Sequence, residues 1–425
     1  MTQSMDAHPV QLVVEDDLRR SRLTSFIVVR YLLAIPHLIW LFLWTLLTIV
    51  LAIVTWAATL VRGTPPAGLH GLMSSYVRYQ VHLSSYLALA ANPYPPFNGE
   101  EGTYPIDVKL PQRQAQVRWK TLVRIFLAVP ALLLSSAFAG TGSARVPTRN
   151  RLSGGFGGGA LVFTCGFLGG FVGLFQARMP KGLRDAGAYG IGYTAQVLAY
   201  LLFVTDRYPN ADPTAMLAGV ERPPEHPVRL VGEAHDLRRS RVTVFFRILL
   251  ALPHLIWLAL WGVVAVFASI ANWFVTLVRG TPAAPLHQFL SRFVRYELHV
   301  FAFLYLAANP FPAFGGRPGT YPLDLELAAP ARQNRWKTGF RIVLLIPAAI
   351  VNGALSSGLF IAGVLTWFAA LATGNAPWGL RNLMAYALRY GAQVNAYGFL
   401  LTDVYPHASP LEGAAAPPDA FDDTA

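Results

Sequence analysis

Charge is scarce in this chain. Only 13% of the 425 residues are Asp, Glu, Lys or Arg, against 54% that are hydrophobic. Soluble domains carry about 25% charged residues, so the composition excludes an ordinary water-soluble protein and points to an integral membrane protein. Cysteine is nearly absent. Cys165 stands alone inside an apolar run, which rules out an intrachain disulfide and any cysteine-based zinc spacing. No short charged-then-apolar leader ends in a small-residue cleavage site, so the first apolar segment is expected to serve as its own insertion signal. Catalytic signatures are missing too. There is no phosphate-binding loop ending in Lys-Ser/Thr, no HExxH and no serine elbow. The glycine run 154–159 lacks the lysine of a nucleotide loop. The reading is therefore not an enzyme, with no cofactor and no metal.

The net charge of +12 could suggest nucleic acid. Its placement argues otherwise, because Lys and Arg gather at the edges of apolar runs, as on the cytoplasmic side of membrane proteins. The expected partners are membrane lipids, with anionic headgroups foremost, and no nucleic acid.

What is present is repetition. Residues 9–97 match 227–314: LRRSR recurs at Leu18 and Leu237, PHLIW at Pro36 and Pro253, LVRGTP at Leu60 and Leu277, LAANP at Leu89 and Leu306. Residues 104–209 match 321–406 through RWKT at Arg118 and Arg335. A finer fourfold repeat follows, 9–97, 104–209, 227–314 and 321–406, flanked by tails at 1–8 and 408–425, the latter expected to be disordered.

Each quarter opens on a strand-like segment: VQLVVED from Val10, YPIDVKL from Tyr104, VRLVGEA from Val228 and YPLDLEL from Tyr321. Together these could form one small sheet on the cytoplasmic side, a possible platform for a protein partner. A basic cluster and a long apolar stretch come next. From the arginine that precedes each intramembrane proline to the following amphipathic segment is 39 residues in three quarters and 59 in the second. The extra 20 residues, from Ala139, are polar and glycine-rich and include Arg145, Arg149 and Arg151. Insertions survive in exposed loops and not inside a lipid-bound helix. The long stretch is therefore read as a helical hairpin, with the insertion at its tip and a small-residue turn from Asn352 at the matching place in the last quarter. The expected fold is mainly α and multi-pass: four tandem units of strand, transmembrane hairpin and amphipathic helix, with about eight crossings of a bacterial cytoplasmic membrane.

The closing amphipathic segments align without gaps on Leu69, Leu183, Leu286 and Leu380. They bring Tyr79, Tyr193, Tyr296 and Tyr390 to one position and His82, Gln196, His299 and Gln393 to another. Asn92, Asp206, Asn309 and Asp403 follow at the end, as turn or cap residues. The sharper reading of the His/Gln positions is one central polar layer that binds an ion or headgroup. The plainer reading is inherited helix-packing chemistry. Two His with two Gln make a poor metal set. Arg30, Arg124, Arg247 and Arg341, each six residues before a proline, are read as headgroup contacts by snorkelling, or as a ring for an anion.

WKTLVRIFLAVP at Trp119, WKTGFRIVLLIP at Trp336, LLFVTDRYP at Leu201 and FLLTDVYP at Phe399 resemble the DUF4389 family of bacterial membrane proteins. The TGRYPxGL turn of that family is matched loosely by QARMPKGL from Gln176, TGNAPWGL from Thr373 and VRGTPPAGL from Val61. The resemblance spans nearly the whole chain as tandem copies. It implies membrane location and repetition, and it carries over no catalytic residue. The function expected is a scaffold or interaction platform. A transporter, channel or lipid-handling protein using the His/Gln/Arg layer is the alternative, and a membrane enzyme with Asp206 beside His82 is third.

Overall fold

The computed structural model describes residues 8–139, 160–232 and 237–412. The chain divides into two units, Met1–Glu221 and Arg222–Ala425. In the first, β1 (Gln11–Val14) leads through α1 (Arg22–Ser25) into α2 (Ile27–Arg62) and α3 (Ala67–Leu87). Then come β2 (Ile106–Lys109), α4 (Arg118–Ala139), α5 (Leu161–Gln176), α6 (Lys181–Leu201) and β3 (Leu217–Ala218). The second unit repeats the plan with β4 (Val228–Val231), α7 (Arg241–Phe245), α8 (Arg247–Arg279) and α9 (Ala284–Leu304). It continues with β5 (Asp324–Leu327), α10 (Arg335–Gly339), α11 (Arg341–Thr373) and α12 (Trp378–Gly398).

Among the described residues four helices, α2, α4, α8 and α11, are long and apolar enough to cross a bilayer. Their polarity is the reverse of a water-soluble helix. The buried stripe of α2 is Arg30, Ala34, His37, Thr48, Thr55 and Thr59, while Leu, Ile, Val and Phe face outward. In α8 the stripe is Arg247, Ala251, His254, Ala265, Asn272 and Thr276. Small and polar residues let helices approach and bond in lipid, where an apolar exterior costs nothing.

The expected hairpins do not form. α2, α8 and α11 run unbroken for 36, 33 and 33 residues. The prolines near their starts do not interrupt them, and the stretch from Asn352 stays helical. There Ser356 donates to the Asn352 carbonyl at 2.7 Å and Ser357 to that of Gly353 at 3.3 Å. The small residues serve packing instead: Ala354 and Gly358 are buried, and Gly363 faces the Tyr305 ring so closely that a Cβ would sit 2.6 Å from it. In the second quarter α4 and α5 together stand where α11 stands in the fourth. Phe138 from one and Val162 from the other both reach Gly190 of α6. α4 and α5 therefore follow one another along α6; the insertion, residues 140–159 with Arg145, Arg149 and Arg151, lies outside the described residues.

The four foreseen strands are present, but they form two sheets and not one. β1 pairs antiparallel with β2 (Leu12 opposite Val108) and parallel with the unforeseen β3. β4 pairs antiparallel with β5 (Leu230 opposite Leu325). Each pair joins strands of neighbouring quarters, so a ladder closes within a half and satisfies one edge of each strand. The inward residues Leu12, Val14, Ile106 and Val108 meet Val77 and Val81 of α3 and Ile191 and Ala195 of α6 in the first core.

The two amphipathic helices of a unit run antiparallel: His70 near the start of α3 meets the Val204 carbonyl beyond the end of α6, and His287 of α9 meets that of Leu401. Residues along the length of α3 (Met73, Val77, Val81) and α6 (Ala188, Ile191, Ala195) share one core with the strands, so these helices lie alongside the sheet. The closing tail is ordered further than expected, since Ala408 and Ser409 are buried and accept bonds from Tyr386 and Arg389. Residues 413–425 lie outside the described residues, as do 1–7 of the leading tail, whereas His8 is buried.

Candidate functional site

The His and Gln positions of the amphipathic helices are engaged within their own units. Each grips a strand of its own unit. His82 Nε2 lies 3.1 Å from Asp107 Oδ1 of β2, and His299 Nε2 lies 2.9 Å from Asp324 Oδ1 of β5. Gln196 donates to the Val10 carbonyl at 2.9 Å and accepts from the Asn210 amide at 2.9 Å. Gln393 donates to the Val228 carbonyl at 3.2 Å and accepts from the His407 amide at 3.1 Å. The alternation has a physical reason. Odd quarters offer a carboxylate, which suits an imidazole. Even quarters offer one carbonyl and one amide, which suits a group that both donates and accepts.

Burial alone would push the Asp107 carboxyl up, but hydrogen bonds from His82 and from the amides of Gly102 and Val108 hold it below the ordinary carboxylate range. The same balance holds Asp324 down, through His299 and the amides of Gly319 and Leu325. Asp206, the carboxylate set beside His82 in the enzyme reading, is bound to Arg124 at 2.6 Å.

The tyrosines do different work in different quarters. Tyr79 OH is 2.7 Å from His37 Nδ1, and Tyr296 OH is 2.6 Å from His254 Nδ1. The imidazoles stack on Phe97 and Phe314, with centroids at 3.9 and 4.2 Å. Even quarters have alanine where these histidines stand: Tyr390 donates to the Ala348 carbonyl at 3.4 Å, and Tyr193 packs edge-on against Phe138. His37 and His254 were not singled out from sequence. Their signal was available in the duplicated PHLIW.

Arg30, Arg124, Arg247 and Arg341 are 0–2% exposed, and each guanidinium is engaged inside its own unit. Arg30, Arg124 and Arg247 cap the end of the amphipathic helix in their own quarter, and Arg341 binds the turn just beyond α12. Arg30 binds the carbonyls of Tyr86 and Ala91, and Arg124 those of Tyr200 and Thr205. Arg247 binds Phe303 and Ala308 at 2.5 Å each; Arg341 binds Thr402 at 3.3 Å and Asp403 at 3.1 Å. All four guanidinium groups lie over an aromatic ring, Tyr86, Tyr200, Phe303 or Tyr397, at 4.0–4.6 Å. The last carbonyls of a helix lack intrahelical partners and carry partial negative charge. A buried cation answers both needs where water is excluded. Just beyond each end the chain turns through a left-handed residue that is not glycine: Leu89, Phe203, Leu306 and Leu400, with φ of 56–67°. Such a conformation costs about 1–2 kcal/mol per residue; the buried side chain and the arginine cap hold it in place.

Among the described residues no group of three or more His, Cys, Asp or Glu could hold a metal ion. The ionisable groups singled out from sequence thus tie helices to strands and helices to loops.

The model of the family described as "Domain of unknown function (DUF4389)" matches residues 25–98, 241–315 and 335–409. Each match takes in a long helix, its amphipathic helix and the closing loop. The second quarter, where the insertion splits the long helix, is not among the matches. No curated protein and no solved structure matches the chain. With three family matches that together cover more than half of its residues, the chain belongs to the DUF4389 family.

Proposed function

We propose that this chain is a non-enzymatic membrane scaffold, held in a bacterial cytoplasmic membrane from one side. Its sheets face the cytoplasm and offer a platform to a protein partner. The long helices lie along the bilayer and do not cross it.

The observation that carries this is how the long helices end. The Gly63 carbonyl, just past α2, accepts from the Gln116 amide at 2.8 Å, and Gln116 is seven residues beyond the last residue of β2. The Gly280 carbonyl, past α8, accepts from the Gln333 amide at 2.7 Å, six residues beyond β5. The ends of α5 and α11 are tied in the same way, to Arg20 and Arg239. Seven extended residues reach about 25 Å, short of the roughly 30 Å hydrocarbon core. With the strands in water, the far end of each long helix returns to the same interface. Within each unit the basic residues at these ends, Arg62 in the first and Arg279 in the second, then meet the headgroups on the side of that unit's strands.

Reconstitution into vesicles tests the scaffold role. The protein should resist alkaline extraction, the vesicles should hold their ion gradients, and His82→Ala with His299→Ala should lower stability alone. A flux carried by the protein and lost in those variants, with stability intact, would establish the transporter reading in its place.

A further inference from the structure

The third quarter differs from the first at one place that the shared fold does not explain. Between α8 and α9, closed by residues 314–317, lies a cavity of about 730 Å³. Trp257, Leu260, Trp261 and Val264 of α8 form its apolar wall, and Arg292 and Arg317 form its polar rim. Both arginines are exposed, and neither guanidinium has an acidic or hydrogen-bonding partner among the described residues. The Trp261 Nε1–H is buried and also lacks a partner.

The first quarter serves as an internal control. At the matching positions it has Ser75 for Arg292 and Glu100 for Arg317. There the Trp40 indole donates to the Phe97 carbonyl at 3.0 Å. The backbone plan is the same, yet the pair of cations occurs only in the third quarter.

We propose that this cavity binds an anionic phospholipid, with the phosphate between Arg292 and Arg317 and an acyl chain along Trp257, Leu260 and Val264. Two guanidinium groups match phosphate oxygens through paired N–H donors. The volume is that of a small-molecule site. The apolar wall continues onto the outward face of α8, where Val263, Phe267 and Ile270 are exposed. A chain can therefore leave the cavity without entering water, which selects a lipid over free phosphate. No carboxylate lines the cavity to receive a choline or ethanolamine, which selects an anionic headgroup. The proposal rests on the membrane reading above, and it sets the phosphate level beside the middle of α8, as a helix lying along the interface requires.

The test uses the full chain in nanodiscs of phosphatidylcholine with or without 30% phosphatidylglycerol (about a third, enough to saturate one site). Phosphatidylglycerol with brominated chains should quench tryptophan fluorescence more than brominated phosphatidylcholine at equal mole fraction. Trp257→Phe with Trp261→Phe should remove that difference. Arg292→Ser with Arg317→Glu, which installs the first-quarter residues, should weaken the preference at least tenfold while the melting curve in pure phosphatidylcholine is unchanged. Equal quenching by both lipids, a preference kept in the double variant, or full protection by inorganic phosphate alone would each overturn the site. A protein that associates with neither lipid would instead overturn the membrane reading beneath it.

Discussion

His82 reaches Asp107 across 25 residues of chain, and His299 reaches Asp324 across the same 25. In both halves the bond joins an amphipathic helix to the strand that opens the next quarter. It therefore fixes where one repeat stops and the next begins.

The bond has a pH signature. The folded carboxyls of Asp107 and Asp324 sit below their ordinary value. A depressed carboxyl pKa contributes stability that is present above the unfolded value, near 3.9, and lost as pH falls through the folded one. Thermal melts should thus weaken below about pH 4. Asp107→Asn with Asp324→Asn should lower stability at neutral pH by about 1.5–3 kcal/mol per site and flatten that acid limb. A limb of unchanged steepness in the variant would assign the acid sensitivity elsewhere.

The arginine caps should be costly to remove and indifferent to lipid charge. Arg30→Gln or Arg247→Gln leaves helix-end carbonyls buried without a cation, at a cost of about 3–5 kcal/mol. Arg→Lys should recover only part, since a point charge cannot span two carbonyls and stack on a ring at once. Unfolding should be measured in neutral and anionic micelles. An effect confined to anionic micelles would restore these residues to headgroup contact.

Two glycines of one loop separate conformation from space. Gly99 and Gly102 both have positive φ, +63° and +73°. At Gly99 a Cβ would meet the Ser75 carbonyl oxygen at 2.1 Å, whereas at Gly102 it meets nothing within 4 Å. Gly102→Ala should cost about 1 kcal/mol and Gly99→Ala about 3 kcal/mol or more, read as midpoint shifts. Equal costs would mean that the loop gives way at Ser75.

Much of this was legible in the sequence. The repeat, the four strands at Val10, Tyr104, Val228 and Tyr321 and the four amphipathic helices follow from periodicity, which is local. The expected hairpins fail because an insertion in sequence marks tolerance to added residues and does not require a turn. Helix continuity is decided by backbone bonding, and the Ser356 and Ser357 hydroxyls bond back to carbonyls of the same helix without breaking it. The arginine caps were not visible because their partners are carbonyls, which no side-chain pattern records. The left-handed Leu89, Phe203, Leu306 and Leu400 escaped notice because the residue type gives no warning. The strands were expected in one sheet because four similar edges look interchangeable; closure within each half decides the pairing.

The face on which the long helices end is open to direct measurement. In a Cys165→Ala background, single cysteines at Thr64 and Thr281, just past α2 and α8, and at Lys109 and Glu326 on the strands, can be labelled with a membrane-impermeant maleimide. Sealed vesicles of both orientations supply the two faces. One-sided embedding predicts that all four positions react from the cytoplasmic face. Labelling of Thr64 and Thr281 positions from one face and of Lys109 and Glu326 positions from the other would contradict it.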